Sequence, residues 1–238
     1  MGRAFEVRKA AMAKTSLAKA KVYSRLSKEI YIAAKSGVAD PEMNSGLKRV
    51  IEKAKANQVP ADIIKRAIDK AKGSSGESYS EILYEGFGNG QATLLVECLT
   101  DNTNRSLADV RACFNKAHGK MGTSGSVSHG YEKLGLLAFA YSDQETMLDA
   151  LILADCDVKD IENDEDIMTL YVEATDLYKA KDVVESLIPA CNFGVLEISY
   201  LPNEYIQLNA EDNELFVRLL NLLNEVDDVQ NVYHNVML

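Results

Sequence analysis

Between residues 136 and 200 the sequence runs strand, helix, strand, strand, helix, strand, an order that few folds accommodate. Residues 136–141, 158–161, 168–172 and 195–200 are apolar or alternating runs of strand length, while 143–154 and 176–190 place apolar residues at helical spacing. Such a series predicts a ferredoxin-like sandwich, two helices covering one face of four strands. The preceding segment starts a second unit of the same kind: strands at 79–87 and 92–99, a helix at 104–118 and a strand at 124–131. That unit lacks one helix and one strand, and the chain ends with a helix at 210–224 and a strand at 229–236. Residues 79–132 plus 201–238 are therefore expected to form one domain, with 133–200 inserted into it.

The first 72 residues are helical in pattern, with helices expected near 16–36, 43–57 and 60–72 after a basic arm. Asp40-Pro41 interrupts the pattern after Gly37, and Pro60 opens the last helix, whose Ile63, Ile64, Ala67, Ile68 and Ala71 make a core stripe. The run Gly73-Ser74-Ser75-Gly76-Glu77-Ser78 has linker composition and places a boundary at residue 78. The expected fold class is α+β: an N-terminal helical bundle followed by two ferredoxin-like α/β domains, the third inserted into the second.

Charge separates these units. Residues 1–72 hold 17 Lys and Arg against 7 Asp and Glu, whereas 73–238 hold 9 against 29. The segment 133–200 alone holds 4 against 15. A basic module on an acidic chain marks the electrostatic footprint of a polyanion partner and assigns it to the N-terminal module. On the first helix Val22, Leu26, Ile30 and Ala33 share one side, and Lys21, Arg25, Lys28 and Lys35 form a basic arc on another, interrupted by Ile32. With Arg3, Arg8, Lys9, Lys14 and Lys19 these are the candidate phosphate contacts, the acidic domains being expected to face away. The polar cluster Asp101-Asn102-Thr103-Asn104-Arg105-Ser106 precedes a helix that Asn104 or Ser106 is placed to cap. Arg105, Lys116 and Lys120 in and after it extend the candidate surface.

Other chemistries find little support. Cys98, Cys113, Cys156 and Cys191 form no C-x-x-C pair, and His118, His129 and His234 complete no zinc or nucleophile signature, so no metal, cofactor or catalytic residue is expected. Gly86-Phe87-Gly88-Asn89-Gly90 joins two strands and reads as a hairpin turn. Gly119-Lys120-Met121-Gly122 matches an RNA-binding G-x-x-G string, but a strand follows where that fold needs a helix. No apolar run approaches the roughly 20 residues of a membrane span, so the expectation is a soluble cytoplasmic protein.

Several strings in order resemble the YebC/PmpR family: Glu97-Cys98-Leu99-Thr100-Asp101-Asn102 with Asn104-Arg105, Phe114-Asn115-Lys116, Met121-Gly122 with Gly125-Ser126-Val127, and Asp228-Val229-Gln230-Asn231-Val232-Tyr233-His234-Asn235. Tyr84-Glu85-Gly86-Phe87-Gly88, Asp40-Pro41-Glu42 and Arg66-Ala67-Ile68 fall in the same register. The resemblance implies three domains with the chain's end returning to the middle one. It also implies a DNA-binding transcriptional regulator, while relatives that include a mitochondrial translational activator act on mRNA or the ribosome. Neither role involves catalysis or a cofactor. The chain departs from the family at its start, where G-H-S-K-W is replaced by Gly2-Arg3-Ala4-Phe5-Glu6, although Arg8-Lys9 are kept. The expected function is thus regulation of gene expression through DNA, with a ribosome- or RNA-associated translation factor as alternative and a small-molecule enzyme behind both. The acidic domains remain available to a protein partner.

Overall fold

The computed structural model describes residues 19–73 and 79–238. Three helices come first, α1 (Lys19–Lys35), α2 (Ser45–Ala56) and α3 (Ala61–Lys72). They pack through Leu26, Ile30 and Ala34 of α1, Leu47, Ile51 and Ala54 of α2, and Ile64 and Ala67 of α3. Asn44 starts α2: its side-chain oxygen accepts the Leu47 N–H at 3.0 Å, and its amide donates to the carbonyls of Ala33 and Val38. One asparagine thus caps a helix and closes the turn before it.

The rest of the chain builds two four-stranded antiparallel sheets. Strands β1 (Ser80–Phe87), β2 (Thr93–Thr100) and β3 (Lys120–Met121), with helix α4 (Thr103–Lys116) between the last two, belong to the first sheet. The second contains β4 (Tyr131–Ala140), β5 (Val158–Asp164), β6 (Ile167–Glu173) and β7 (Phe193–Pro202), with α5 (Gln144–Leu153) after β4 and α6 (Leu177–Leu187) after β6. The chain then forms α7 (Ala210–Glu225) and returns to the first sheet as β8 (Val229–His234).

The second sheet has the order β5-β6-β4-β7, the ferredoxin-like arrangement expected from its sequence. Leu137, Phe139, Met168, Leu170 and Val172 pack there against α5 and α6. The first sheet, ordered β3-β1-β2-β8, has the same two-layer build, with α4 and α7 packed on Leu94, Val96 and Cys98 through Phe114, Phe216 and Leu219. Gly86 permits the contact with α4, because a Cβ there would fall 2.4 Å from the Phe114 ring. The hairpin reading of the glycine run holds: β1 and β2 pair directly, and Gly90 takes a positive φ of 62° in the turn.

The strand expected at 124–131 is absent. Residues 123–127 turn, and a short 3₁₀ helix spans Ser128–Gly130. Glu85 accounts for the difference, because its buried carboxylate accepts the backbone N–H groups of Gly125 (2.7 Å), Val127 (2.6 Å) and Ser128 (2.9 Å). Donors committed to a side chain cannot serve a strand ladder.

Cys98, Cys113 and Cys156 are buried and Cys191 is half-buried, and none is in a disulfide. Burial pushes the Cys98 thiol up to about 12, so it is protonated and enclosed at neutral pH. Thiol titration of the native protein at pH 8 is therefore expected to label Cys191 first and Cys98 only after denaturant is added. Equal labelling rates for these two would contradict this packing.

Candidate nucleic-acid interface

The basic arc of α1 is divided in the folded protein. Arg3, Arg8, Lys9 and Lys14 lie outside the described residues, and Lys19 opens α1. Lys28 is turned inward: its ammonium meets Asp228 Oδ1 at 3.2 Å and the Asp227 carbonyl at 3.0 Å. Lys21 and Arg25 are half-buried on the same helix, and Lys21 Nζ, Arg25 Nε and Arg25 Nη2 reach neither solvent nor a hydrogen-bond partner among the described residues. Burial lowers the pKa of both, and for Lys21 the adjacent Arg25 adds repulsion that Asp227 and Glu225 oppose. Lys35 donates to the Tyr31 hydroxyl at 2.9 Å. The expectation that the acidic part faces away from this arc therefore fails at one corner, where α1 lies against the acidic end of α7 and the start of β8.

Asp228 is the centre of that corner. It is 4% exposed and binds three elements: Oδ2 accepts from Thr100 Oγ1 at 2.8 Å and Arg105 Nη2 at 2.9 Å, while Oδ1 faces Lys28. Burial alone would raise its pKa, but the Arg105, Thr100 and Lys28 donors hold it below the ordinary aspartate value. Arg105 also binds Asp101 at 2.8 Å, and its guanidinium is held firmly protonated by these two carboxylates. Asn102 caps α4 by accepting the Arg105 N–H, so the cap lies before Asn104 and Ser106, which are already helical. Arg105, a candidate phosphate contact by sequence, is thus committed to an internal network that joins the two strings Thr100–Arg105 and Asp228–Asn235.

A cleft of about 750 Å³ opens beside this corner, between α1, α4 and α7. Its cations Lys28, Arg105 and Lys116 are outnumbered by Asp101, Asp109, Glu225, Asp227 and Asp228. Such a lining repels a polyanion.

Open cations lie elsewhere. Lys48 and Lys55 stand two turns apart on α2 with Glu52 between them, and Lys65 is on α3; all three are exposed and in no ion pair among the described residues. Arg66, Lys72 and Lys53 are instead paired with Asp62, Asp69 and Glu29. Arg111, Lys116 and Lys120 are exposed along and beyond α4. Lys48, Lys55 and Lys65 lie outside the cations expected from sequence, because the basic arc read there is confined to the first helix. Sequence reasoning also passed over Asp228 and Glu85, whose sole signal was membership in the strings that carried the family resemblance.

His118 and His129 are exposed, and His234 packs edge-on against Phe216 at 5.1 Å. Among the described residues no three His, Cys, Asp or Glu side chains are gathered as metal ligands, and no helix is long and apolar enough to cross a membrane.

The pattern that defines the TACO1/YebC protein N-terminal domain matches residues 3–74, and that of the TACO1/YebC second and third domain matches residues 79–236. The chain is 50% identical to a protein of Hydrogenovibrio crunogenus named "Probable transcriptional regulatory protein", over 100% of both chains. It is 48% identical to a protein of the same name from Alcanivorax borkumensis, over 99% of each. A crystal structure of a conserved hypothetical protein from Aquifex aeolicus superimposes with a TM-score of 0.78 at 32% identity, covering 94% of this chain and 93% of that one. With the helical bundle, the two sheets and the paired strings around Asp228 in place, the chain belongs to the TACO1/YebC family.

Proposed function

We propose that this protein is a nucleic-acid-binding regulator of gene expression, first of all a DNA-binding transcriptional regulator, without catalytic chemistry and working in the cytoplasm. The observation that carries the reading is the confinement of net positive charge to residues 1–72 of an otherwise acidic chain. Lys48, Lys55 and Lys65 supply open cations on the bundle, and Arg3, Arg8, Lys9 and Lys14 add charge on the N-terminal arm. The names carried by the Hydrogenovibrio and Alcanivorax relatives support the same reading. Three modules divide the work: 1–78 meets phosphates, 79–132 with 201–238 anchors the bundle through Asp228, and 133–200 presents an acidic surface to a protein partner. Lysines on a helical bundle contact phosphates without reading base edges, so backbone and shape recognition dominate.

A binding titration across a salt series, against duplex DNA and against purified ribosomes, tests this. Replacing Lys48, Lys55 and Lys65 together by Glu is expected to weaken binding and to lower the slope of log K against log salt by about 2 to 3. Replacing Lys21 and Arg25 by Gln should change the slope much less, since neither is open to a phosphate. Saturable ribosome binding beside weak, indiscriminate DNA binding would move the target from DNA to RNA. Salt-independent binding, or none, would overturn the proposal.

A further inference from the structure

At the hairpin end of the first sheet, Phe87 is 39% exposed although it stands in a regular strand. Its cross-strand partner is Lys120 on β3, and Thr93 of β2 stands opposite it on the other side. Paired residues of antiparallel strands share a face, so Lys120, Phe87 and Thr93 make a row across the sheet. The face is the one turned away from α4 and α7, because Gly86, the preceding residue, is the one that meets Phe114.

The loop after β3 covers the same face. Glu85, two residues before Phe87 and on the same side of the strand, gathers the N–H groups of Gly125, Val127 and Ser128. Gly122 brings the start of the loop under the ring: a Cβ there would lie 3.2 Å from Phe87 Cε2 and 2.2 Å from Ser126 Oγ. Ser126 Oγ is enclosed and makes no hydrogen bond. Thr123, Ser124 and Gly125 remain exposed on the outside, as does His129 beyond them. The result is an aromatic ring backed by a polar loop tied down by Glu85, with a lysine directly across the strand that is in no ion pair among the described residues.

Lys120, paired with Phe87 across the strand and exposed, supplies the positive charge of this face, and a phosphate is attracted to it. A ring, an adjacent cation and nearby hydroxyl and backbone groups are what a single nucleotide outside a duplex requires: a surface for its base and a charge for its phosphate.

We propose that Phe87, Lys120 and the loop at 122–128 form a platform for an unpaired nucleotide of a single-stranded RNA or DNA segment. The inference rests on the nucleic-acid reading above and adds to it a second contact, away from the basic bundle and selective for unpaired bases. A fully paired duplex offers no free base to this ring.

The chain contains no tryptophan, so Phe87→Trp in the full-length protein installs a single reporter at the platform. The probes are an oligouridylate, an oligothymidylate and a blunt duplex, each about twelve nucleotides long, within the usual site sizes of single-strand binders. Both unpaired oligomers are expected to quench the tryptophan and the duplex to leave it unchanged, and the ratio of the two affinities identifies RNA or DNA as the preferred source. Phe87→Leu is expected to weaken unpaired binding about tenfold, with Phe87→Tyr restoring it. Lys120→Gln is expected to lower the salt slope by about 1. Wild-type affinities in Phe87→Leu and Lys120→Gln, with the parent protein binding normally, would overturn the platform and leave the bundle reading intact. Failure of the parent protein to bind any probe or the ribosome would overturn both.

Discussion

Asp228→Ala is expected to destabilise the protein by about 3 kcal/mol, because it removes the shared partner of two cations and a buried hydroxyl. The side chain is 5% exposed, whereas Lys28 and Arg105 are 18% and 48% exposed and can rehydrate in part. That difference keeps the cost at the low end for a broken buried ion pair. For a chain of this length the loss corresponds to roughly 6–12 °C in the thermal midpoint. Asp228→Asn should cost less, since an amide oxygen still accepts from Thr100. A double-mutant cycle with Lys28→Met is expected to give coupling well above that of the exposed Lys53–Glu29 pair, whose removal costs less than about 1 kcal/mol. Additivity of Asp228→Ala and Lys28→Met would show that α1 does not dock through this contact. The folded pKa of Asp228 is lowered, so its contribution is complete above the unfolded value near 4 and is lost as pH falls below it.

The layered architecture was legible in the sequence because strand and helix periods are local properties. Residues 136–200 reveal their order without reference to any other part of the chain, and the 60–72 stripe appears as the buried Ile64 and Ala67 of α3. What was not legible depended on partners far along the chain. The segment 124–131 alternates well enough for a strand, yet its donors are taken by a carboxylate some 40 residues earlier. A helical wheel groups the cations of α1 into one arc but cannot say which neighbours they meet, and here Lys28 meets Asp228, 200 residues away, while Lys35 turns to Tyr31. Phe87 was legible as the end of the strand 79–87, but not its exposure on the face away from the helices, which depends on how the sheet is covered. Local pattern fixed the elements; long-range carboxylates fixed which cations remain open.

The second large effect is expected from Glu85→Gln, at about 3 kcal/mol, and it falls on the loop more than on the sheet. Three backbone donors converge on two carboxylate oxygens, Gly125 on Oε1 and both Val127 and Ser128 on Oε2. Glutamine offers one acceptor oxygen, so one end of the arrangement sets an N–H₂ group against a backbone N–H. No cation pairs with Glu85 among the described residues, and its charge is held by the three backbone N–H groups and the Ser128 hydroxyl. Burial would raise its pKa, but the Gly125, Val127 and Ser128 donors outweigh burial and lower it. A depressed folded pKa means that the stabilisation is complete above the unfolded glutamate value, about 4.3, and is lost as pH falls through the folded one. The wild type should therefore exceed Glu85→Gln in stability by the full margin at pH 7, and the two should converge on acidification below about pH 4. Hydrogen exchange gives the local readout: Gly125, Val127 and Ser128 amides should lose protection in Glu85→Gln before the amides of β1 and β2 do. Unchanged protection at those three positions would mean that the loop holds its shape without Glu85. The Phe87 ring would then owe its backing to Gly122 packing alone.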